Sequence, residues 1–100
     1  TRERSAVTPE LPTIDEAGLP GYEMSTWYGL FVQGATPRGV IARLQEEVAQ
    51  ILNQPAMKER IAADGMTVVA STPGQFALFL ARESGKYTRI IEAAGIKAID

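Results

Sequence analysis

The sequence predicts an α/β fold, rich in helix with a few strands, on three observations. Tyr22 to Gln33 reads as a strand in which Trp27, Tyr28, Leu30, Phe31 and Val32 make a near-continuous apolar and aromatic run, which suits a strand covered on both faces. Three later stretches repeat apolar residues at helical spacing. Between the second and third of these, residues 66–70 carry Val68 and Val69 at their centre, the pattern of a short strand.

Residues 1–23 read as a loop with a short helix. Thr13 and Glu16 stand three apart as a capping box, and Gly18 is placed to end one or two helical turns. So short a helix is not stable alone, so Leu11 and Ile14 need a partner surface. Leu19-Pro20-Gly21 is turn chemistry, since Pro20 fixes its own φ and Gly21 tolerates a positive one. The strand is placed at residues 24–33, with Gly29 marking a bulge or a close approach. Gly34-Ala35-Thr36-Pro37 follows, with Thr36 as the cap of a helix that starts at Pro37.

That first helix spans residues 36–53 with its cap, and Val40, Ile41, Leu44, Val48, Ile51 and Leu52 form one apolar stripe. A second helix covers residues 55–64, stacks Met57 on Ile61, and ends at Asp64-Gly65. After the short strand at 66–70, Thr72-Pro73 repeats the Thr-Pro device and opens a helix over residues 73–94. Its length is roughly 33 Å. Its inward face is Phe76, Phe79, Leu80, Tyr87, Ile90, Ile91 and Ala94, interrupted by Glu83 and Ser84. Two readings of Glu83 stand: it pairs with an arginine across a domain interface, or it lies at the edge of the stripe and reaches water. Gly95 ends the helix, and residues 96–100 form an apolar tail.

Composition narrows the chemistry. The 100 residues carry twelve acidic and ten basic side chains, a net charge of -2, with no run of like sign. Such a chain has no electrostatic footprint for nucleic acid. It has no cysteine and no histidine, which removes disulfides, thiolate and imidazole catalysis and the commonest zinc ligands. No apolar run approaches the roughly 20 residues that span a bilayer. The chain begins at Thr1 and not at methionine, and the simplest expectation is that it is cut from something longer.

No arrangement of residues calls for an enzyme, a cofactor or a metal. Lys58, Lys86 and Lys97 have polar surroundings in the sequence, unlike an activated lysine. Gly34-Ala35-Thr36-Pro37 has the order of a phosphate loop but lacks its second glycine and its lysine. Asp15-Glu16 is a poor metal pair, because Glu16 has a capping role. The best ligand-binding candidates are Ser25, Thr26 and Trp27, followed by Tyr28, since hydroxyls and aromatic tips on a strand beside a cleft are what small polar ligands meet. The competing reading is that Trp27 and Tyr28 only fill a core.

The order of motifs adds a resemblance. Arg4-Ser5, then Leu11-Pro12-Thr13-Ile14-Asp15-Glu16-Ala17-Gly18-Leu19-Pro20-Gly21-Tyr22-Glu23, Trp27-Tyr28-Gly29-Leu30 and Ala35-Thr36-Pro37 resemble the C-terminal part of the Bug-type extracytoplasmic solute receptors of tripartite tricarboxylate transporters. The likeness continues through Leu52-Asn53-Gln54-Pro55, Ala63-Asp64-Gly65, Ser71-Thr72-Pro73-Gly74-Gln75-Phe76, Glu83 and Ala94-Gly95-Ile96. It departs at Phe31-Val32-Gln33-Gly34, where relatives often carry a proline-containing turn.

The resemblance implies the C-terminal part of a two-lobed periplasmic binding protein of type II, with residues 1–100 as a single fragment of it. It further implies capture of a small organic carboxylate and its delivery to membrane permease subunits. Helices with full apolar stripes and a strand apolar on both faces then need partners that such a fragment lacks. Self-association of the isolated chain is therefore expected. The alternative reading is a stand-alone α/β interaction module that docks a partner through its amphipathic helices.

Overall fold

The structure is a computed structural model that describes residues 1–99. Asp100, the last residue of the tail read over 96–100, lies outside the described residues. The chain divides into two compact units, Thr1–Ala70 and a second from Ser71 onward.

In the first unit, helix α1 spans Arg38–Leu52 and helix α2 spans Pro55–Ala63. The half-buried side of α1 is Ile41, Gln45, Val48, Ala49 and Leu52, a stripe at helical spacing, and α1 touches α2. On α2, Met57 and Ile61 are the half-buried residues. Pro55 occupies the first turn, where its missing N–H is one the helix would leave unsatisfied anyway. Gly65, at φ +77°, closes α2: its N–H donates to the Ala62 carbonyl at 2.9 Å and that of Met66 to Ile61 at 3.1 Å.

The start of α1 differs from the sequence reading. Thr36 makes no capping hydrogen bond; Pro37 itself holds the cap position, with ψ 142°, and its carbonyl accepts from Val40 and Ile41. Thr36 belongs instead to a turn in which its N–H donates to the Gln33 carbonyl at 2.9 Å.

In the second unit, helix α3 spans Pro73–Ala94. Here the Thr-Pro device works as a capping box: the Thr72 hydroxyl accepts from the Gln75 N–H at 3.2 Å, and the Gln75 side chain accepts from the Thr72 N–H at 3.0 Å. Gly95, at φ +66°, ends α3, with Gly95 donating to Glu92 and Ile96 to Ile91. Phe76, Phe79, Leu80, Glu83, Lys86 and Tyr87 are half-buried, whereas Ile90 and Ile91 are exposed. The Phe76 and Phe79 rings stand 6.1 Å apart.

Among the described residues there is no strand. Residues 24–33 and 66–70, predicted as strands, carry no ladder. A strand exists only through its neighbour, and its propensity expresses packing on a sheet more than a backbone preference. Ala70 adds a local reason at the second site, because its φ of +47° leaves the extended region. The short helix read between Thr13 and Gly18 is a single turn, in which Ala17 donates to Thr13 at 2.9 Å and Leu19 to Ile14 at 3.1 Å.

No hydrophobic side chain among the described residues is fully buried, and Thr13 is the one buried polar residue. The accessible surface is 8477 Å². Two separately folded units of these lengths would together expose about 6,600 Å². Apolar surface that a folded domain would cover therefore remains open, including Tyr28, Leu30, Phe31, Val40, Leu44, Ile51 and Val69. Among the described residues no helix is long and apolar enough to cross a membrane.

Candidate functional site

Ser25, Thr26 and Trp27 lie on an irregular stretch whose near end is anchored by the N-terminal segment. The backbone nitrogen of Thr1 donates to the Met24 carbonyl at 3.2 Å, and Arg2 Nε lies 3.6 Å from Glu23 Oε2. Ahead of that neck, Leu19-Pro20-Gly21-Tyr22 forms a tight turn: Tyr22 donates to the Leu19 carbonyl at 3.1 Å, with Gly21 at φ +85°. That φ is what a type II turn requires of its third residue, and Pro20 supplies the second. The Gly21 N–H is taken by Asp15 Oδ1 at 2.5 Å.

Behind the turn, Arg4 binds Glu16 through two nitrogens. Its Nε donates to Oε2 at 3.0 Å and to Oε1 at 3.2 Å, Nη2 donates to Oε2, and Nη1 reaches the Pro9 carbonyl at 3.2 Å. Fork geometry of this kind is specific to arginine. The Thr13 hydroxyl accepts the Glu16 N–H at 3.1 Å, which is one half of the capping box. The Glu16 carboxylate is shared, with Arg4 as its main partner and the Thr13 backbone N–H acting on it more weakly. Twelve residues separate Arg4 from Glu16, so no helical or strand spacing could have announced the pair.

The hydrogen bond from Arg4 holds the Glu16 carboxyl below its ordinary value, with the guanidinium charge and Thr13 adding to it against a partial desolvation. In return, Arg4 is held above its own ordinary value. A depressed carboxyl contributes stability that is complete above the unfolded value and is lost as pH falls through the folded one. Limited proteolysis of residues 1–23 is thus expected to accelerate as pH drops through the acidic range. Glu16→Gln should flatten that dependence; an unchanged profile would exclude the pair as its origin.

The stretch itself places its candidates differently from one another. Trp27 is half-buried, Ser25 and Thr26 are exposed, and Tyr28 is 81% exposed. The three ligand candidates are consecutive, so the backbone brings them together. Trp27 also has an interaction partner, so it is not a free surface tip.

Among the described residues no group of three acidic side chains could hold a metal. Asp15 and Glu16 are both committed within the loop, to the Gly21 N–H and to Arg4. On α3, Glu83 is mostly covered, and its ion-pair partner among the described residues is a lysine. Its side chain is 12% exposed and pairs with Lys86, whose Nζ donates to Oε1 at 3.1 Å. Oε2 lies 3.0 Å from the same nitrogen but accepts no hydrogen bond. The Lys86 ammonium also stands 5.4 Å from the Tyr87 ring centroid. This pair was legible in principle, since glutamate three residues before lysine shares a helix face.

Comparison with known proteins gives a consistent answer. A family model described as the tripartite tricarboxylate transporter family receptor matches residues 1–96. A UPF0065 protein in the tcbD-tcbE intergenic region of Pseudomonas sp. strain P51 is 34% identical over 90 residues, 89% of this chain and 27% of the relative. A UPF0065 protein of Agrobacterium vitis, from the TAR-I ttuE-ttuC' intergenic region, is 33% identical over 98 residues, covering 95% and 28%. Protein BugT of Bordetella pertussis is 30% identical over 95 residues, covering 95% and 29%. The chain thus spans less than a third of the length of these relatives. No solved structure matches.

Proposed function

This chain belongs to the tripartite tricarboxylate transporter receptor family, and on that premise we propose that it is the C-terminal part of a periplasmic solute-binding receptor. The whole receptor closes two α/β lobes over a small organic carboxylate and delivers it to the membrane permease subunits of its transporter. Ser25, Thr26 and Trp27 contribute to the ligand site, two hydroxyls for oxygen atoms and an indole for the carbon skeleton.

The family match over residues 1–96 carries this reading. Two physical observations support it. A binding protein needs no titrating base, in keeping with a sequence that has neither histidine nor cysteine. Helices α1 and α3 keep apolar residues exposed, which is what a part prepared for a larger body presents. Residues 24–33 become a strand within that body, where a neighbouring strand supplies the ladder. The 100-residue chain alone covers its bare surface by self-association.

Calorimetric titration of a receptor-length protein against mono-, di- and tricarboxylates, with sugars and amines as controls, tests the assignment. Saturable binding of a carboxylate is expected. Binding of amines or sugars alone would remove the carboxylate reading.

A further inference from the structure

The geometry points to Arg4 and Glu16 as positioning residues for the Ser25, Thr26 and Trp27 stretch: the bond between them closes the segment that sets where the stretch begins. This deepens the ligand site proposed above and rests on it. Arg4 and Glu16 act on the stretch through their neighbours in sequence, which hold its near end.

On one side, Arg4 is two residues from Arg2 and three from Thr1. Arg2 Nε lies 3.6 Å from Glu23 Oε2, and the Thr1 backbone nitrogen donates at 3.2 Å to the carbonyl of Met24, the residue before Ser25. On the other side, Glu16 follows Asp15, whose Oδ1 accepts from the Gly21 N–H at 2.5 Å and so fixes the turn from which residues 22–24 leave. Glu16 is also fixed along its backbone, since its N–H donates at 3.1 Å to the hydroxyl of Thr13, a buried residue.

Three closures therefore interlock: Asp15 with Gly21, Arg4 with Glu16, and Thr1 with Met24, at separations of 6, 12 and 23 residues. A loop costs more to close the longer it is. With Arg4 already on Glu16, the path left between Thr1 and Met24 is about half as long, and halving a loop makes its closure about threefold more frequent. An exposed ion pair stabilises a whole fold little. Its effect here is local: it raises the fraction of molecules in which residues 25–27 start from a fixed point, and apparent affinity follows that fraction. The fork matters, because two parallel bonds set an orientation that a point charge does not.

In the receptor-length protein, Arg4→Gln and Glu16→Gln should each weaken carboxylate binding about threefold by calorimetry, and the double replacement should be no weaker than either. Arg4→Lys, which keeps the charge and loses the fork, should remain about twofold weak. Arg43→Gln breaks another exposed pair of the same unit, with Glu47 on α1, and should leave affinity unchanged. Hydrogen exchange read by mass spectrometry separates positioning from general stability: peptides covering residues 20–27 should exchange about threefold faster in Glu16→Gln, with α1 and α3 peptides unchanged. Wild-type affinity in Arg4→Gln and Glu16→Gln, or additive losses in the double variant, overturns the positioning role and leaves the ligand site standing. Lost affinity without faster exchange at 20–27, or with faster exchange in the helices as well, overturns it too. A wild-type receptor that binds no carboxylate overturns the ligand site and this role together.

Discussion

Replacing Trp27 by alanine in the receptor-length protein is expected to weaken carboxylate binding about tenfold or more, which is about 1.4 kcal/mol. An indole half-buried beside two hydroxyl-bearing residues offers a flat apolar wall, and removing it returns both wall and ligand carbon to water. Ser25→Ala and Thr26→Val should each cost less, about 0.5–1.5 kcal/mol per lost hydrogen bond. The other role open to Trp27 is packing alone. That role would lower the melting temperature of Trp27→Ala while leaving the dissociation constant where it was, so calorimetry and a melting curve on the same sample separate the two.

The second large effect concerns the half-buried pair on α3. Lys86→Met leaves the Glu83 carboxylate, 12% exposed, with no ammonium beside it. Removing one partner of a buried pair costs about 3–5 kcal/mol, and incomplete burial here brings the expectation to about 2 kcal/mol. The double replacement Glu83→Leu with Lys86→Met removes both charges and should recover most of that loss, because two desolvated ions give way to apolar contact. Urea unfolding of the four proteins of this cycle, in receptor-length form, gives the coupling directly. Equal losses in Lys86→Met and the double variant would show that the lysine stem matters and its charge does not.

Local signals in the sequence carried the three helices well. The stripe from Val40 to Leu52, the Met57 and Ile61 stack and the Phe76 to Tyr87 face correspond to α1, α2 and α3, since helices close their hydrogen bonds within themselves. Glycine ends were legible for the same reason: Gly65 and Gly95 both adopt the positive φ that a side chain resists. One local rule gave different results at two sites. Thr72 caps α3 while Thr36 caps nothing, because the chain before Pro37 is held in its own turn. The proposed site rests on a stretch of sequence. Ser25, Thr26 and Trp27 could be chosen by residue type, but the neck that anchors them, from Thr1 to Met24 and Arg2 to Glu23, joins positions more than twenty apart.

By itself the sequence determined the helices, their glycine ends, the Leu19 to Tyr22 turn and, through the order of its motifs, the receptor family. Each depends on groups within a few residues of one another or on the linear order of residues. Only the tertiary structure decided that Glu16 answers Arg4 more than its own cap and that residues 24–33 stand without a ladder. Those outcomes depend on which distant group, if any, arrives at bonding distance, and for a strand the missing neighbour withholds half of every hydrogen bond.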